Sequence, residues 1–104
     1  MFTFIEAASF ERLRSAYLDD DEFADLQAFM MENPEAGDVV PGTGGVRKLR
    51  WKQRGSGKRG GLRVIYFARY EPNEVWLLTL YAKSRQENVP AHILRQLKEV
   101  LERG

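Results

Sequence analysis

The sequence predicts an α+β fold, an antiparallel sheet with helices packed on one face, in the order β-α-α-β-β-β-α. Three observations carry this. Apolar residues recur at helical spacing in three separate segments. Between the second and third of these lie three strand-like runs, 46–52, 62–70 and 75–82. The connections joining those runs are too short for a parallel crossover, which makes the three an antiparallel meander. At 104 residues the chain has the length of one domain, read as spanning 1–104.

Each element has its local reason. Phe2 and Phe4 alternate with Thr3 and Ile5, as in a short first strand. Ser9 is placed to cap a first helix, continued by Phe10, Leu13 and Tyr17. The run Asp19-Asp20-Asp21-Glu22 breaks and restarts the helix, because carboxylates complement the positive end of a helix dipole. The second helix carries Phe23, Leu26, Phe29 and Met30 and stops near Asn33-Pro34, since proline disfavours helical geometry in the residue before it. The Met30–Met31 pair reads as core filler. Residues 37–45, GDVVPGTGG, read as a loop. A last helix begins at Asn88 or Val89 with Pro90 in its first turn, and Ile93, Leu94, Leu97, Val100 and Leu101 form its apolar stripe.

Composition excludes several kinds of chemistry. A chain that is 43% hydrophobic and 12% aromatic can bury a core. The absence of cysteine removes disulfides, cysteine zinc sites, thiol nucleophiles and iron–sulfur clusters. With one histidine, His92, neither a zinc hydrolase nor a serine–histidine triad can be assembled, and His92 itself reads as a surface residue. No apolar run approaches the roughly 20 residues that span a bilayer. The opening MFTFIEAA has no basic stretch of the kind that begins a signal peptide. The expectation is a cytoplasmic protein that needs no membrane and no cofactor.

Charge is distributed unevenly. Residues 1–38 hold ten acidic and two basic side chains, a local charge of −8. Residues 39–70 hold nine basic side chains and no acidic one, and residues 71–104 balance at five of each. Such a basic segment suits a polyanionic partner.

Period-two alternation sorts these charges onto faces. Lys48, Arg50 and Lys52 share a face opposite Leu49 and Trp51. In the second run Leu62, Val64, Tyr66 and Ala68 oppose Arg63, Ile65, Phe67 and Arg69, so both faces hold apolar residues. In the third, Trp76, Leu78, Leu80 and Ala82 oppose Val75, Leu77, Thr79, Tyr81 and Lys83. The face away from the helices is expected to gather Lys48, Arg50, Lys52, Arg63, Tyr81 and Lys83 at one concave end. Cations with an aromatic ring suit phosphate contact and base stacking. Arg63 can alternatively be an ion-pair partner within the fold.

The segment Gly55-Ser56-Gly57-Lys58-Arg59-Gly60 matches GxGxxG, but between two strands rather than a strand and a helix, so the dinucleotide reading fails. Nor is it a phosphate-binding P-loop: position 52 is lysine, and Lys58 is followed by Arg59. Its cations Arg54, Lys58 and Arg59 suit a hairpin tip that approaches a nucleic-acid backbone, or one that merely aids solubility. No paired carboxylates lie near the basic strands to hold magnesium. RNA cleavage by this patch would therefore be metal-independent, the substrate's 2′-hydroxyl attacking the adjacent phosphate to leave a 2′,3′-cyclic phosphate. Such a reaction needs a proton acceptor, a proton donor and fixed positive charge on the phosphorane. Lysine crowded by other cations suits the first, and arginine suits the last.

The order of elements, the stretch GDVVPGTGGVRKLRWKQRGSGKRGGLRVIYF and the segment LLTLYAKSRQENVP resemble the RelE/HigB toxins of bacterial toxin–antitoxin systems. The resemblance is nearest to the HigB-like branch; it covers nearly the whole chain and is most specific from Gly42 to Tyr66. It implies a ribosome-dependent mRNA endonuclease, with Lys48, Arg50, Arg63, Lys83 and Arg85 at the catalytic positions; Lys52, Arg54, Lys58, Arg59 and Tyr81, on the basic strands and the hairpin tip, are the expected RNA contacts beside them. It also implies a cognate antitoxin, HigA-like with a helix-turn-helix, and the ribosome and mRNA as further partners. Some RelE toxins carry a stacking tyrosine just past the last strand; the stretch 86–90 here has none, leaving Tyr81 as the nearest substitute. A ParE-like gyrase inhibitor and a non-enzymatic RNA-binding regulatory module are the alternative readings.

Overall fold

The computed structural model describes residues 1–52, 61–85 and 88–104. Among these the elements are β1 (Thr3–Glu6), α1 (Ala8–Tyr17), α2 (Asp20–Glu32), β2 (Asp38–Val39), β3 (Arg47–Trp51), β4 (Leu62–Arg69), β5 (Glu74–Ala82) and α3 (Ala91–Arg103). The α+β class and the expected element order are present, with β2 added inside the segment read as a loop. The five strands form one sheet in the order β1-β5-β4-β3-β2. The meander β3-β4-β5 is antiparallel as expected, but β1 pairs parallel with β5, so the sheet is mixed rather than antiparallel.

Helices cover both faces of the sheet, not one. Phe10 of α1 and Leu26 and Met30 of α2 pack with Leu49, Leu62, Val64, Tyr66, Val75, Leu77 and Leu80. On the opposite face Leu94 of α3, flanked by Leu97 and Leu101, packs with Ile65, Trp76, Leu78 and Tyr81. The physical reason is that β4 and β5 carry apolar side chains on both faces, and a strand of that kind needs cover on both. The stripe of α3 is correspondingly narrow, with Ile93 and Val100 exposed. Met30 is fully buried while its neighbour Met31 is exposed, so only the first serves the core.

A register slip resets the faces of β5. Ile65 pairs with Thr79 but Tyr66 pairs with Leu77, which leaves Leu78 as an extra residue. Strict alternation predicts Leu80 beside Trp76 and Leu78; the slip instead puts Leu80 with Val75 and Leu77, and Tyr81 with Trp76 and Leu78. Tyr81 thereby comes to lie across from Arg63.

The helix starts also differ from expectation. The cap of α1 is Ala7, without a side-chain bond, while the Ser9 hydroxyl lies 2.7 Å from that of Thr79. Ser9 therefore ties α1 to β5 instead of capping. The acidic run does start α2: Asp19 accepts from the Glu22 amide at 2.7 Å and Glu22 accepts from the Asp19 amide at 3.1 Å, a reciprocal capping box. Pro90 is the cap of α3, one position before the helix rather than within its first turn.

Candidate functional site

The site is built on three strands and the approach to α3. Across the sheet, Arg50 pairs with Arg63 and Arg63 with Tyr81; one row along, Asp38 pairs with Lys48 and Lys48 with Ile65. Cross-strand partners share a face. These two rows therefore put Asp38, Lys48, Arg50, Arg63 and Tyr81 on the face that α3 partly covers. Lys83 follows directly after β5, where its amide donates to the Gly61 carbonyl at 3.1 Å and extends the ladder by one bond. Lys48, Arg50, Arg63 and Lys83 line a pocket of about 300 Å³, together with Asp38 and Asn88. The gathering of these four cations matches the alternation argument, although the face is the one shared with α3 rather than an uncovered one.

The members differ in exposure and support. Arg63 is 7% exposed, and its Nη1 donates to the Leu62 carbonyl at 3.4 Å. Lys48 Nζ donates to Asn88 Oδ1 at 2.9 Å, which ties β3 to the chain entering α3. Arg50 is exposed. Tyr81 is 6% exposed and lies outside the pocket lining, its ring packed in the cluster beneath α3 rather than open to a ligand. Burial raises the Tyr81 pKa, and the Arg63 charge works against that rise. Lys52 and Arg85 are exposed and lie outside the lining. Arg54, Lys58 and Arg59 fall outside the described residues.

Asp38 and Asn88 are the lining residues that sequence reasoning missed. Asp38 reaches the site through the two-residue strand β2, and its placement is elaborately supported. The buried Tyr66 hydroxyl accepts from the Gly37 amide at 2.9 Å and donates to the Pro34 carbonyl at 2.9 Å. Arg47 Nη1 donates to the Gly37 carbonyl at 2.7 Å and to the Glu35 carbonyl at 3.2 Å. The β-branched pair Val39-Val40 beside Asp38 is the signal that could have marked a strand there. Asn88 has no such signal, since only the docking of α3 brings it to Lys48.

The turn before β3 is closed locally and serves as an anchor for α3. Thr43, fully buried, donates to the Val40 carbonyl at 2.6 Å and accepts from the Val46 amide at 3.1 Å, closing the turn before β3. Arg95 Nη1 donates to the Gly42 carbonyl at 2.8 Å, and Lys98 Nζ lies 4.5 Å from the Phe67 ring centre. Among the described residues no three His, Asp or Glu side chains form a group that could hold a metal ion.

A sheet-end pocket lined by two lysines and two arginines has the chemistry to hold an anionic group. Comparison with protein families places the chain more narrowly. Residues 5–103 match the family described as the RelE toxin of the RelE / RelB toxin–antitoxin system. The chain belongs to the RelE toxin family, and that membership implies an antitoxin as partner. Among the described residues, no helix is long and apolar enough to cross a membrane.

Proposed function

We propose that this toxin is a ribosome-dependent mRNA endonuclease of the HigB-like branch, a single cytoplasmic domain that works without metal or cofactor. The observation that carries the reading is the convergence of Lys48, Arg50, Arg63 and Lys83 in one pocket at the end of the sheet. Arg63, held rigid by burial, and Arg50 grip the scissile phosphate and oppose the charge that develops on it as the 2′-oxygen attacks. Lys48 and Lys83 flank that phosphate and manage the proton leaving the 2′-hydroxyl and the proton reaching the departing 5′-oxygen. Arg85 assists from the turn after β5. Lys52, Arg54, Lys58 and Arg59 follow the RNA backbone away from the site, and Tyr81 backs Arg63. A HigA-like antitoxin with a helix-turn-helix neutralises the activity.

Induced expression tests this reading against the gyrase and binding-module alternatives. The expected result is growth arrest, halted translation and cleaved mRNA with DNA supercoiling unchanged. DNA breaks with intact mRNA would support gyrase inhibition instead. Unimpeded growth with the protein soluble and abundant would leave only the binding module.

A further inference from the structure

Asp38 is a carboxylate set among four cations, yet among the described residues it forms no hydrogen bond and no ion pair with any of them. Its cross-strand neighbour Lys48 turns instead to Asn88. Nor is Asp38 at the pocket by looseness of the chain. Both backbone polar groups of Gly37, immediately before it, are held by the buried Tyr66 hydroxyl and by Arg47. A side chain at Gly37 would lie 2.9 Å from the Tyr66 ring and 3.0 Å from the Lys48 carbonyl oxygen, so the approach of β2 to β3 is close. The scaffold delivers an acceptor-only group to a pocket whose other charged members are all donors.

We propose that Asp38 is the sugar-reading residue of this site, accepting a hydrogen bond from the 2′-hydroxyl of a nucleotide neighbouring the scissile one, while the attacking 2′-hydroxyl gives its proton to a lysine. An anion in a phosphate pocket repels the phosphate itself, so the ligand must offer it a donor. In a polynucleotide the donors are base amino and imino groups and, in RNA alone, the 2′-hydroxyl. The 2′-hydroxyl is carried on the carbon adjacent to the one bearing the 3′-phosphate, so it accompanies every phosphate whatever the base. The row Asp38–Lys48 likewise adjoins the row Arg50–Arg63. This assignment rests on reading the pocket as an RNA site and adds a determinant of sugar specificity.

The test is binding without ribosomes, using a short oligoribonucleotide and its 2′-deoxy counterpart, each checked intact on a gel afterwards. The wild type is expected to favour the ribo form by about tenfold, the worth of one hydrogen bond to a charged group. Asp38→Ala is expected to bind the deoxy form at least as tightly as the wild type, having lost an anion, and to show a ribo-to-deoxy ratio near one. A wild type with no sugar preference, or a variant that keeps it, overturns the proposal. Equal loss of both affinities also overturns it and makes Asp38 part of the scaffold. Cleavage of mRNA by the wild type is scored separately: an Asp38-dependent preference without cleavage defeats the nuclease reading alone, and cleavage without preference defeats this one alone.

Discussion

At the scale of the residue, the cationic side chains were legible because period-two alternation is indifferent to tertiary detail. Lys48 and Arg50 had to share a face in any extended strand, and the register that pairs Arg50 with Arg63 puts Arg63 there with them. Asp38 was not legible, because a strand of two residues is too short to show a period. Tyr81 was assigned the cationic end by an alternation that the slip at Leu78 breaks; the slip keeps it beside Arg63 but buries its ring. Arg63→Ala should remain folded by circular dichroism and lose roughly 3–4 kcal/mol of transition-state stabilisation, on the order of 10²–10³ in cleavage rate. Loss of soluble protein would place Arg63 among the structural ion pairs instead. The Tyr66 hydroxyl serves both Gly37 and Pro34. Tyr66→Phe leaves a buried amide and a carbonyl without that partner and should cost about 1–3 kcal/mol in a denaturant titration. Burial raises the Tyr66 pKa above its ordinary value of 10.0. A raised folded-state pKa contributes stability that is fully present below the unfolded value and is lost as pH rises past it towards the folded one. Wild-type stability should therefore fall as pH climbs above about 10, and Tyr66→Phe should flatten part of that fall.

At the scale of the element, sequence punctuation was readable where a local bond decides the structure. The acidic run starts α2 through a capping box, and Asp19→Ala should cost about 1 kcal/mol of thermal stability. Ser9 was misread because a long-range partner, Thr79, outcompetes the cap role. The last helix was legible, but its place on the second face of the sheet was not. Two apolar faces on β4 could be read from the sequence, but which helix takes which face is settled by packing across the whole sheet. The hairpin between β3 and β4 offers a sharper test of backbone geometry. Gly61 has φ +62°, and a Cβ there would lie 2.5 Å from the Trp51 carbonyl oxygen. Gly61→Ala must move backbone at the edge of the pocket, and should both destabilise the fold by more than about 1 kcal/mol and weaken cleavage. Full stability in that variant would show that the β3–β4 junction tolerates the shift.

At the scale of the whole molecule, the separation of charge legible in the sequence becomes a separation in space. The acidic α2 and the basic pocket lie on opposite faces of the sheet, since α2 packs with the cluster around Val64 and the pocket shares its face with α3. An antitoxin therefore has two ways to neutralise the toxin: cover the pocket with acidic groups, or dock on the acidic helix α2 and block access to the ribosome sterically. We favour the second, because a DNA-binding antitoxin is commonly basic. Asp20→Lys with Asp21→Lys, which leaves the Asp19–Glu22 cap in place, should then weaken the complex, whereas Lys48→Glu with Arg50→Glu should leave it unchanged. The opposite pattern in a titration of the two proteins would mean that the antitoxin covers the pocket. In either case association should slow with added salt. The central claim is that the sheet-end pocket cuts mRNA on the ribosome through the substrate's own 2′-hydroxyl. Its most direct test is to incubate one purified mRNA with the toxin, with and without translating ribosomes, and to identify the new ends. The account predicts cleavage only on translating ribosomes, 2′,3′-cyclic phosphate ends, and no cleavage by the Lys48→Ala, Arg50→Ala double variant; intact mRNA, or full cleavage by that variant, would contradict it.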